Sequence, residues 1–424
     1  MDQIDGTSNT SNLTPESEED HISRMPKNVI THILERVPIQ YAVRTSILSR
    51  KWRFEWTMLS KIEFDGDFPA YLRKKGIEDD LGRIVTRILF HHIGDISKFS
   101  VTLYENLDAE YINDWVMLLS RNRIKDLSIW NFAGVCKVPT HLFSCLELEN
   151  LELSHCYVSL MPPTFHGFPN LEFLYLNSVV LENYTYGELL TRCPSLEVLS
   201  LISDTTDGIK GHEIAKLENL TNLRLPLCAL DNMAIITSSD VLQHMSLFYK
   251  VQDLFLDLLN CKVLAKDKER FETFLPCVKN LVVYNMDFSC ANLLSLVYAL
   301  IFASQNARTL KITTDEDVID EDVDDMDKFD YLSDDVNDSD DDMEDADVVA
   351  DIDGCKMGQL QLREVSIEYV TCSENEVMLL KSILSSSPLL KEMNIFTSEV
   401  PSGLIKLLKL HRASPNAEVN FFWT

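Results

Sequence analysis

The sequence is poor in the residues and motifs that build metal, phosphate and nucleophile sites. Its 10 cysteines contain no CxxC pair, and only 13 of its 424 residues are glycine, with no glycine-rich phosphate loop and no G-x-S-x-G motif. The paired His91 and His92 lack the i, i+4 spacing beside a glutamate that zinc proteases use. We therefore expect no catalysis, no metal and no cofactor, and we assign the cysteines to structural positions in the core.

Long apolar runs are also missing. The most apolar helix-length stretch, Ala291–Ala303, holds 13 residues, whereas a membrane span needs roughly 20. We expect a buried helix there and no membrane partner. Residues 1–19 have no apolar core, which argues against a secretory signal and predicts a disordered tail. The expected location is the nucleus and/or the cytoplasm.

The chain as a whole lacks a basic surplus. Its formal net charge of −29 does not suit binding to nucleic acid phosphates, so we expect no nucleic acid partner. Residues 315–353 contain 21 Asp and Glu and one Lys. Such a run repels itself and has little apolar surface to bury, which predicts a disordered acidic insertion. It lacks the central Gly and terminal Glu of an EF-hand loop, so we expect no specific calcium site.

A basic segment stands near the start of this acidic chain. Residues 21–64 carry eight Lys and Arg and three Glu, a local balance of +5. Apolar residues recur at helical spacing in three short stretches of residues 29–59. Pro26 suits a first helical turn, and Pro38 disfavours continuing the first helix. So small a helical unit is marginally stable by itself. We expect it to pack on a neighbouring domain and to bind an acidic partner.

The stretches MPKNVITHILERVP and AVRTSILSRKWRFEW resemble the F-box of plant proteins. There a Leu-Pro opening, an Ile-Leu pair, a second Pro and a Ser-basic-basic-Trp ending recur in this order. The resemblance implies that this segment docks a Skp-type adaptor and, through it, the cullin and RING subunits of a ubiquitin ligase. By position, the implied adaptor-binding residues are Met25, Pro26, Ile33, Leu34, Val37, Pro38, Leu48 and Trp52. The alternative, that the stripes form only the core of a helical cap, stays open.

A repeat follows the basic segment. The pattern L-x-x-L-x-L, with aliphatic substitution allowed, occurs ten times, from IKDLSI to LKEMNI. Its fourth positions between Leu127 and Leu310 are 23 to 31 residues apart, which is typical of leucine-rich repeats. The fourth and sixth residues should point inward on parallel strands, and the fifth should lie on the concave face. Cys156 and Cys228 occupy the buried turn position of this repeat, which favours a structural role.

The last part of the chain, with Arg412, Ala413, Ser414, Pro415, Ala417, Glu418 and Phe421, resembles the FBD region that closes a large plant family of F-box and leucine-rich-repeat proteins. We expect two more repeats there, a helix over residues 376–384 and a final strand over Glu418–Trp423. The predicted fold class is α/β, with an N-terminal three-helix F-box, a leucine-rich-repeat solenoid of parallel strands and a closing FBD region. The predicted boundaries are 1–19 (disordered tail), 20–64 (F-box), 65–100 (linker or first cap), 101–314 (leucine-rich repeats), 315–353 (acidic insertion) and 354–424 (FBD region).

The resemblance to plant F-box proteins implies the non-catalytic substrate-recognition subunit of an SCF-type (Skp–cullin–F-box) ubiquitin ligase. Along the fifth positions of the repeats, polar ends flank an aromatic and basic centre. Because Tyr, Trp and Arg concentrate binding energy, we place the anchor of an unknown protein substrate at Tyr175, Arg224 and Phe255. Three alternatives stay open: a repeat scaffold without ubiquitination, a small-molecule sensor, and a loop rather than substrate covering Phe255 and Val282.

Overall fold

The computed structural model describes most of the predicted domains. The described residues are 25–77, 80–183, 185–202, 210–229, 235–237, 245–259, 261–264, 275–314, 359–371, 373–397 and 410–423. The predicted tail and the predicted acidic insertion lie outside these residues.

A single parallel sheet organises the described chain. It holds 13 strands, each beside the one that precedes it along the solenoid. In sheet order they are β1 (Lys61–Phe64), β2 (Lys98–Leu103), β3 (Asp126–Asn131), β5 (Asn150–Ser154), β7 (Phe173–Asn177), β9 (Val198–Ile202), β10 (Asn222–Pro226), β12 (Asp253–Asp257), β14 (Asn280–Tyr284), β15 (Thr309–Ile312), β16 (Glu364–Ile367), β17 (Glu392–Thr397) and β18 (Glu418–Trp423). The predicted parallel solenoid is confirmed.

Two smaller parallel sheets lie beside the main one. The first consists of β4 (Cys136–Val138), β6 (Cys156–Val158) and β8 (Val180–Leu181). The second pairs β11 (Ile235–Thr237) with β13 (Lys262–Leu264). Each of these short strands follows a strand of the main sheet along the chain. The small sheets therefore form where the corresponding repeats turn away from the main sheet.

Rows of inward leucines hold the main sheet together. The fourth-position residues, from Leu127 through Leu151, Leu174 and Leu199 to Leu223, are neighbours on successive strands and are buried. Burying each such side chain is worth about 1.5–3 kcal/mol. A single repeat has no second layer to cover its leucines, so each strand depends on the strands beside it.

Helices cover the convex side. The described helices of the solenoid are α3 (Asp67–Lys74), α4 (Leu81–His91), α5 (Ala109–Ser120), α6 (Tyr186–Leu190), α7 (Gly211–Ile214), α8 (Ala291–Ala303) and α9 (Glu374–Ser386). The predicted buried helix is confirmed as α8, most of whose side chains are covered by protein. Among the described residues, no helix has the length and apolar character needed to cross a bilayer.

The basic N-terminal segment is helical, as predicted, but its third helix is not an α-helix. It contains α1 (Lys27–Leu34) and α2 (Ile39–Arg44), followed by two 3₁₀ segments, Thr45–Ile47 and Trp52–Met58. Helical spacing of apolar residues does not separate α from 3₁₀ in so short a stretch.

The sheet begins earlier than the repeat pattern predicts. Both β1 and β2 precede the first recognised repeat, and β1 falls within the residues predicted as F-box. Residues 65–100, predicted as a linker or first cap, supply α3, α4 and the start of β2. In β1, buried side chains alternate with exposed ones, and in β2 they alternate with half-buried ones. Both strands lack the leucine spacing of the later repeats.

The FBD ending forms a turn that docks the last strand. The Ser414 hydroxyl donates to the Leu390 carbonyl at 2.7 Å, and Arg412 Nη1 donates to the Ala417 carbonyl at 2.9 Å. Ser414 and Ala417 are buried. Helix α9 contains the predicted helix within its longer span, and β18 coincides with the predicted final strand.

The two strands that flank the acidic insertion give a stability prediction. Leu310 of β15 and Val365 of β16 are direct neighbours in the sheet, although 55 residues separate them in sequence. Deleting residues 320–345 leaves 29 residues between them, which equals the step from Leu281 to Leu310. We expect this deletion to keep the β15–β16 pairing and to lower the Tm by less than about 5 °C. A larger loss in a thermal unfolding scan would show that the deleted residues contribute to folding.

Candidate interaction surfaces

The N-terminal module exposes an unusual number of large apolar side chains. We call them the exposed F-box set: Val29, Ile33, Val37, Tyr41, Ile47, Leu48, Phe54 and Met58. The exposed fraction reaches 83% for Ile47 and 64% for Phe54. Single exposed apolar residues are common, but a cluster of them in one small module indicates an interaction site.

Six of the eight predicted adaptor residues are at least partly accessible. Ile33, Val37 and Leu48 belong to the exposed F-box set. Pro26 and Pro38 are exposed at the starts of α1 and α2. A sixth residue, Met25, is partly buried and packs against the core. The assignment of these six to adaptor contact stays a prediction.

Leu34 and Trp52 require a different role. Leu34 is 1% exposed and Trp52 is 4% exposed, and both belong to the hydrophobic core with Ile30, Ile39 and Ala42. A side chain this buried cannot form the main contact with a partner unless the module opens. We therefore assign these two residues to folding of the module rather than to direct adaptor contact.

Five members of the exposed F-box set were missed by the sequence prediction: Val29, Tyr41, Ile47, Phe54 and Met58. The resemblance to the F-box assigns residues by their place in the motif, which includes Leu34 and Trp52 but not Ile47 or Phe54. Apolar periodicity marks the side of a helix that packs inward, so it does not identify these exposed residues either. The sequence feature that indicates such exposed residues is that the segment holds more apolar residues than one buried helix face can cover. Val29 and Ile47 stood in the apolar pattern, but exposure distinguishes them only once the fold is known.

Basic side chains accompany the exposed F-box set. Exposed cations of the described module include Arg36, Arg44, Arg50, Lys51 and Arg53. Lys27 is also exposed, and its Nζ lies 3.9 Å from Glu55 Oε2, which partly offsets its charge. The +5 balance is therefore carried mainly by surface charge, which suits an acidic partner.

The module is fastened to the solenoid by backbone hydrogen bonds. The Ile93 amide donates to the Thr57 carbonyl and the Ser97 amide donates to the Ser60 carbonyl, both at 2.8 Å. His92 Nε2 lies 2.7 Å from the Leu59 carbonyl oxygen, and burial lowers the pKa of His92. The neutral imidazole therefore donates to that carbonyl near neutral pH. These bonds hold the end of the module against the solenoid.

The fifth positions of the repeats form one row across the concave face, as predicted. Successive strands place these residues in direct register, in the order Ser128, Glu152, Tyr175, Ser200, Arg224, Phe255, Val282, Lys311, Ser366 and Asn394. Arg224 and Phe255 are immediate neighbours, whereas Tyr175 lies two strands from Arg224. The three predicted anchor residues thus share one row without forming a single contact cluster.

Tyr175 instead belongs to an aromatic group at the N-terminal half of the row. Its ring stacks on Trp130, with centroids 5.1 Å apart, and Trp130 Nε1 donates to Glu152 Oε2 at 3.1 Å. Phe132 lies beside Trp130 and stacks on Tyr104 with centroids 5.5 Å apart. Phe132 and Tyr104 are exposed, whereas Tyr175 is buried. Trp130, Phe132 and Tyr104 were not predicted.

Arg224 has a separate environment. Its guanidinium carbon lies 4.5 Å from the ring centroid of Tyr284, a cation–π contact. Its Nε and Nη2 atoms are buried and have no hydrogen-bond acceptor among the described residues. A buried guanidinium N–H without an acceptor is costly. Water or a bound acidic group would satisfy these donors, while half-buried Phe255 offers an apolar neighbour.

The described residues contain no group of three or more His, Cys, Asp or Glu side chains placed to hold a metal ion. Both surfaces present apolar, aromatic and charged side chains. The sequence left open whether a loop or a substrate covers Phe255 and Val282. In the structure Val282 is buried, whereas Phe255 keeps some accessible surface.

Two family models match this chain. The F-box domain model matches residues 22–63, and the LRR repeats of FBD-associated F-box protein At5g56370 match residues 112–248. These matches confirm the resemblance to plant F-box/FBD/leucine-rich-repeat proteins. They cover the exposed F-box set and, of the aromatic group, Trp130, Phe132 and Tyr175.

Curated proteins similar to this chain are named as F-box, FBD and leucine-rich-repeat proteins. The chain is 38% identical over 183 residues to F-box/FBD/LRR-repeat protein At1g13570 of Arabidopsis thaliana, covering 43% of this chain and 44% of that protein. It is 28% identical over 231 residues to putative FBD-associated F-box protein At1g55030 of the same plant, covering 53% and 50%. The chain thus spans about half the length of these relatives. A solved leucine-rich-repeat protein of Leptospira interrogans, LIC12759, is 13% identical with a TM-score of 0.27 over 88% of this chain and 92% of that one.

Because Leu34 is buried and Leu48 is exposed, truncating them to alanine should lower the stability of the protein to very different degrees. Leu34→Ala should lower the free energy of unfolding by about 2–5 kcal/mol because it leaves a cavity in the module core. Leu48→Ala should change it by no more than about 0.5 kcal/mol. Urea unfolding followed by tryptophan fluorescence measures both variants. Equal stability of the two would contradict the division between core and surface.

Proposed function

We propose that this chain is the substrate-recognition subunit of an SCF-type ubiquitin ligase, acting in the nucleus and/or the cytoplasm. Its F-box binds a Skp-type adaptor, which connects it to the cullin and RING subunits, and its solenoid binds a protein substrate. The chain itself supplies binding and no catalysis. The observation that carries the proposal is the exposed F-box set, on a module that matches the F-box family.

Apolar contact accounts for most of the proposed adaptor affinity. Leu48, Ile47 and Phe54 present large side chains to solvent, and covering each one with a partner recovers about 1.5–3 kcal/mol before the costs of association. The surrounding arginines and lysines favour approach of an acidic adaptor surface. Leu34 and Trp52 contribute by holding the helices in place.

The concave row supplies the proposed substrate surface. Arg224 has two buried donors without an acceptor among the described residues, and Phe255 lies beside it in the sheet. A substrate segment that places an acidic or carbonyl oxygen at Arg224 and an apolar side chain at Phe255 satisfies both. Tyr175 and the aromatic group around Trp130 extend this surface toward the F-box end.

A double substitution in the exposed F-box set tests adaptor binding. Ile47→Asp with Leu48→Asp should abolish pulldown of a purified Skp-type adaptor, because two carboxylates would need to be desolvated in an apolar interface. Both side chains are exposed, so the Tm should stay unchanged. The matched control is Val135→Asp with Leu146→Asp, two exposed apolar residues of the solenoid.

Retained adaptor binding by the Ile47/Leu48 variant would refute docking through this surface. Equal loss in the Val135/Leu146 control would show that the added charge acts nonspecifically. Adaptor binding without any ubiquitination of co-purified proteins would favour the scaffold alternative over the ligase subunit.

Substitution of the concave row tests substrate binding. Arg224→Ala with Phe255→Ala removes two half-buried side chains, whereas truncating Tyr175 also disrupts a buried stack and confounds binding with stability. The wild-type chain should co-purify ubiquitinated proteins from plant extract treated with a proteasome inhibitor. The amount of these proteins recovered with the double variant should be at least tenfold lower. Adaptor recovery should be equal for both.

Ser366→Ala with Asn394→Ala is the control for this experiment, since these residues occupy the same row farther along the sheet. If the Arg224/Phe255 variant recovers the same proteins in the same amounts, the substrate surface lies elsewhere. Loss in the control alone would move it toward the C-terminal end of the row.

A further inference from the structure

Two cysteines of successive repeats face each other across a pair of parallel strands. Cys136 begins β4 and Cys156 begins β6, and the two residues are direct neighbours in the strand register. Their Sγ atoms are 3.2 Å apart. Parallel neighbours are separated by about 4.8 Å, which lies within the Cα separation of about 4.4–6.8 Å that a disulfide spans. The spacing of the two strands therefore suits a disulfide between these cysteines.

The backbone around the pair is well fixed. The Cys136 amide donates to the His155 carbonyl at 3.0 Å, and the chain turns at His155 with φ of 52° to bring Cys156 into β6. Cys156 Sγ also lies 3.3 Å from the Ser154 carbonyl oxygen. The two thiols are thus held together by main-chain structure rather than by flexible loops.

The two thiols differ in access and acidity. Cys136 is half-buried, whereas Cys156 is fully buried. The hydrogen bond with Cys156 lowers the pKa of the Cys136 thiol against the opposing effect of burial, and the same contact together with burial raises the pKa of Cys156. Cys136 is therefore the thiol that meets an oxidant first, and Cys156 is placed to react only with Cys136.

We propose that Cys136 and Cys156 are a modification site at which a reversible disulfide joins two successive repeats. The oxidant is a low-molecular-weight disulfide such as oxidised glutathione. The Cys136 thiolate attacks one glutathione sulfur and expels the other glutathione as its thiolate. Cys156 then loses its proton and attacks the Cys136 sulfur, which releases the second glutathione thiolate. In sum, two protein thiols and one glutathione disulfide give one protein disulfide and two glutathione thiols.

Other cysteines of the solenoid provide internal controls. Cys145 and Cys193 are buried, and burial raises the pKa of each thiol to about 12. Within the described part of the chain, neither thiol forms a hydrogen bond with another cysteine. Cys145 Sγ lies 3.7 Å from the His141 carbonyl oxygen, and Cys193 Sγ lies 3.4 Å from that of Leu189. They should stay reduced under conditions that oxidise the Cys136–Cys156 pair.

The test uses the full-length chain in buffers of graded reduced and oxidised glutathione, followed by alkylation and peptide mass mapping without reduction. We expect a cross-linked peptide pair containing Cys136 and Cys156, with loss of two hydrogen atoms and recovery of both thiols on adding reductant. The cross-link should raise the Tm by about 2 °C or more, since it closes a loop of some 20 residues. Cys136→Ser should remove both the cross-link and the Tm change, whereas Cys193→Ser should keep them.

Cys156→Ala provides a second arm that separates the two chemical steps. In this variant, Cys136 should accumulate as a mixed disulfide with glutathione, because the resolving thiol is absent. The proposal is overturned if the wild-type chain stops at that mixed disulfide, if Cys136 stays reduced when oxidised glutathione is in large excess, or if the cross-link joins other cysteines instead.

Discussion

The solenoid depends on burial of leucines that no single repeat can cover. Each fourth- and sixth-position side chain is enclosed by the strands on either side. The stability of each repeat therefore depends on its contacts with the adjacent repeats. This constraint explains why Leu310 and Val365 pair across a long insertion. A gap in the leucine row would leave two sheet edges and two apolar faces open to water. Strand β18 pairs with β17 as the last strand of the described sheet, and the Ser414 hydroxyl fastens the preceding turn to the Leu390 carbonyl.

The same constraint divides the residues of each strand into two classes. The fourth and sixth positions are restricted to aliphatic side chains. The fifth and seventh positions lie on the other side of each strand and accept residues as different as Ser200, Arg224 and Phe255, so chemical variety concentrates there. At the other end of the chain, the amides of Ile93 and Ser97 tie the F-box to the start of the solenoid. The two surfaces are thus carried on connected structure rather than on a free linker.

Leucine spacing predicted the inward rows and the parallel sheet because burial in this architecture requires those residues at those intervals. It did not predict β1 and β2, whose alternation lacks the repeat spacing. Trp130 and Tyr284 were missed because they occupy the seventh position, one step beyond the six-residue pattern, and their partners Tyr175 and Arg224 lie on other strands. In the F-box, the family resemblance assigned Leu34 to adaptor contact, but this side chain is buried. The more exposed Ile47 was identifiable only from the packed structure.

Because successive strands pair in direct register, residues at equivalent positions of consecutive repeats are neighbours in space. Residues at the same position of consecutive repeats lie about 4.8 Å apart, so a pair that is 20 or more residues apart along the chain becomes a neighbouring pair. Phe396 stacks on Phe422 with centroids 4.9 Å apart for this reason, and the thiols of Cys136 and Cys156 meet at 3.2 Å by the same rule. A cysteine in one repeat therefore comes within reach of a second thiol when the next repeat carries a cysteine at the same position. In such a fold, the chemistry of a residue depends on its counterpart in the adjacent repeat as much as on its own burial.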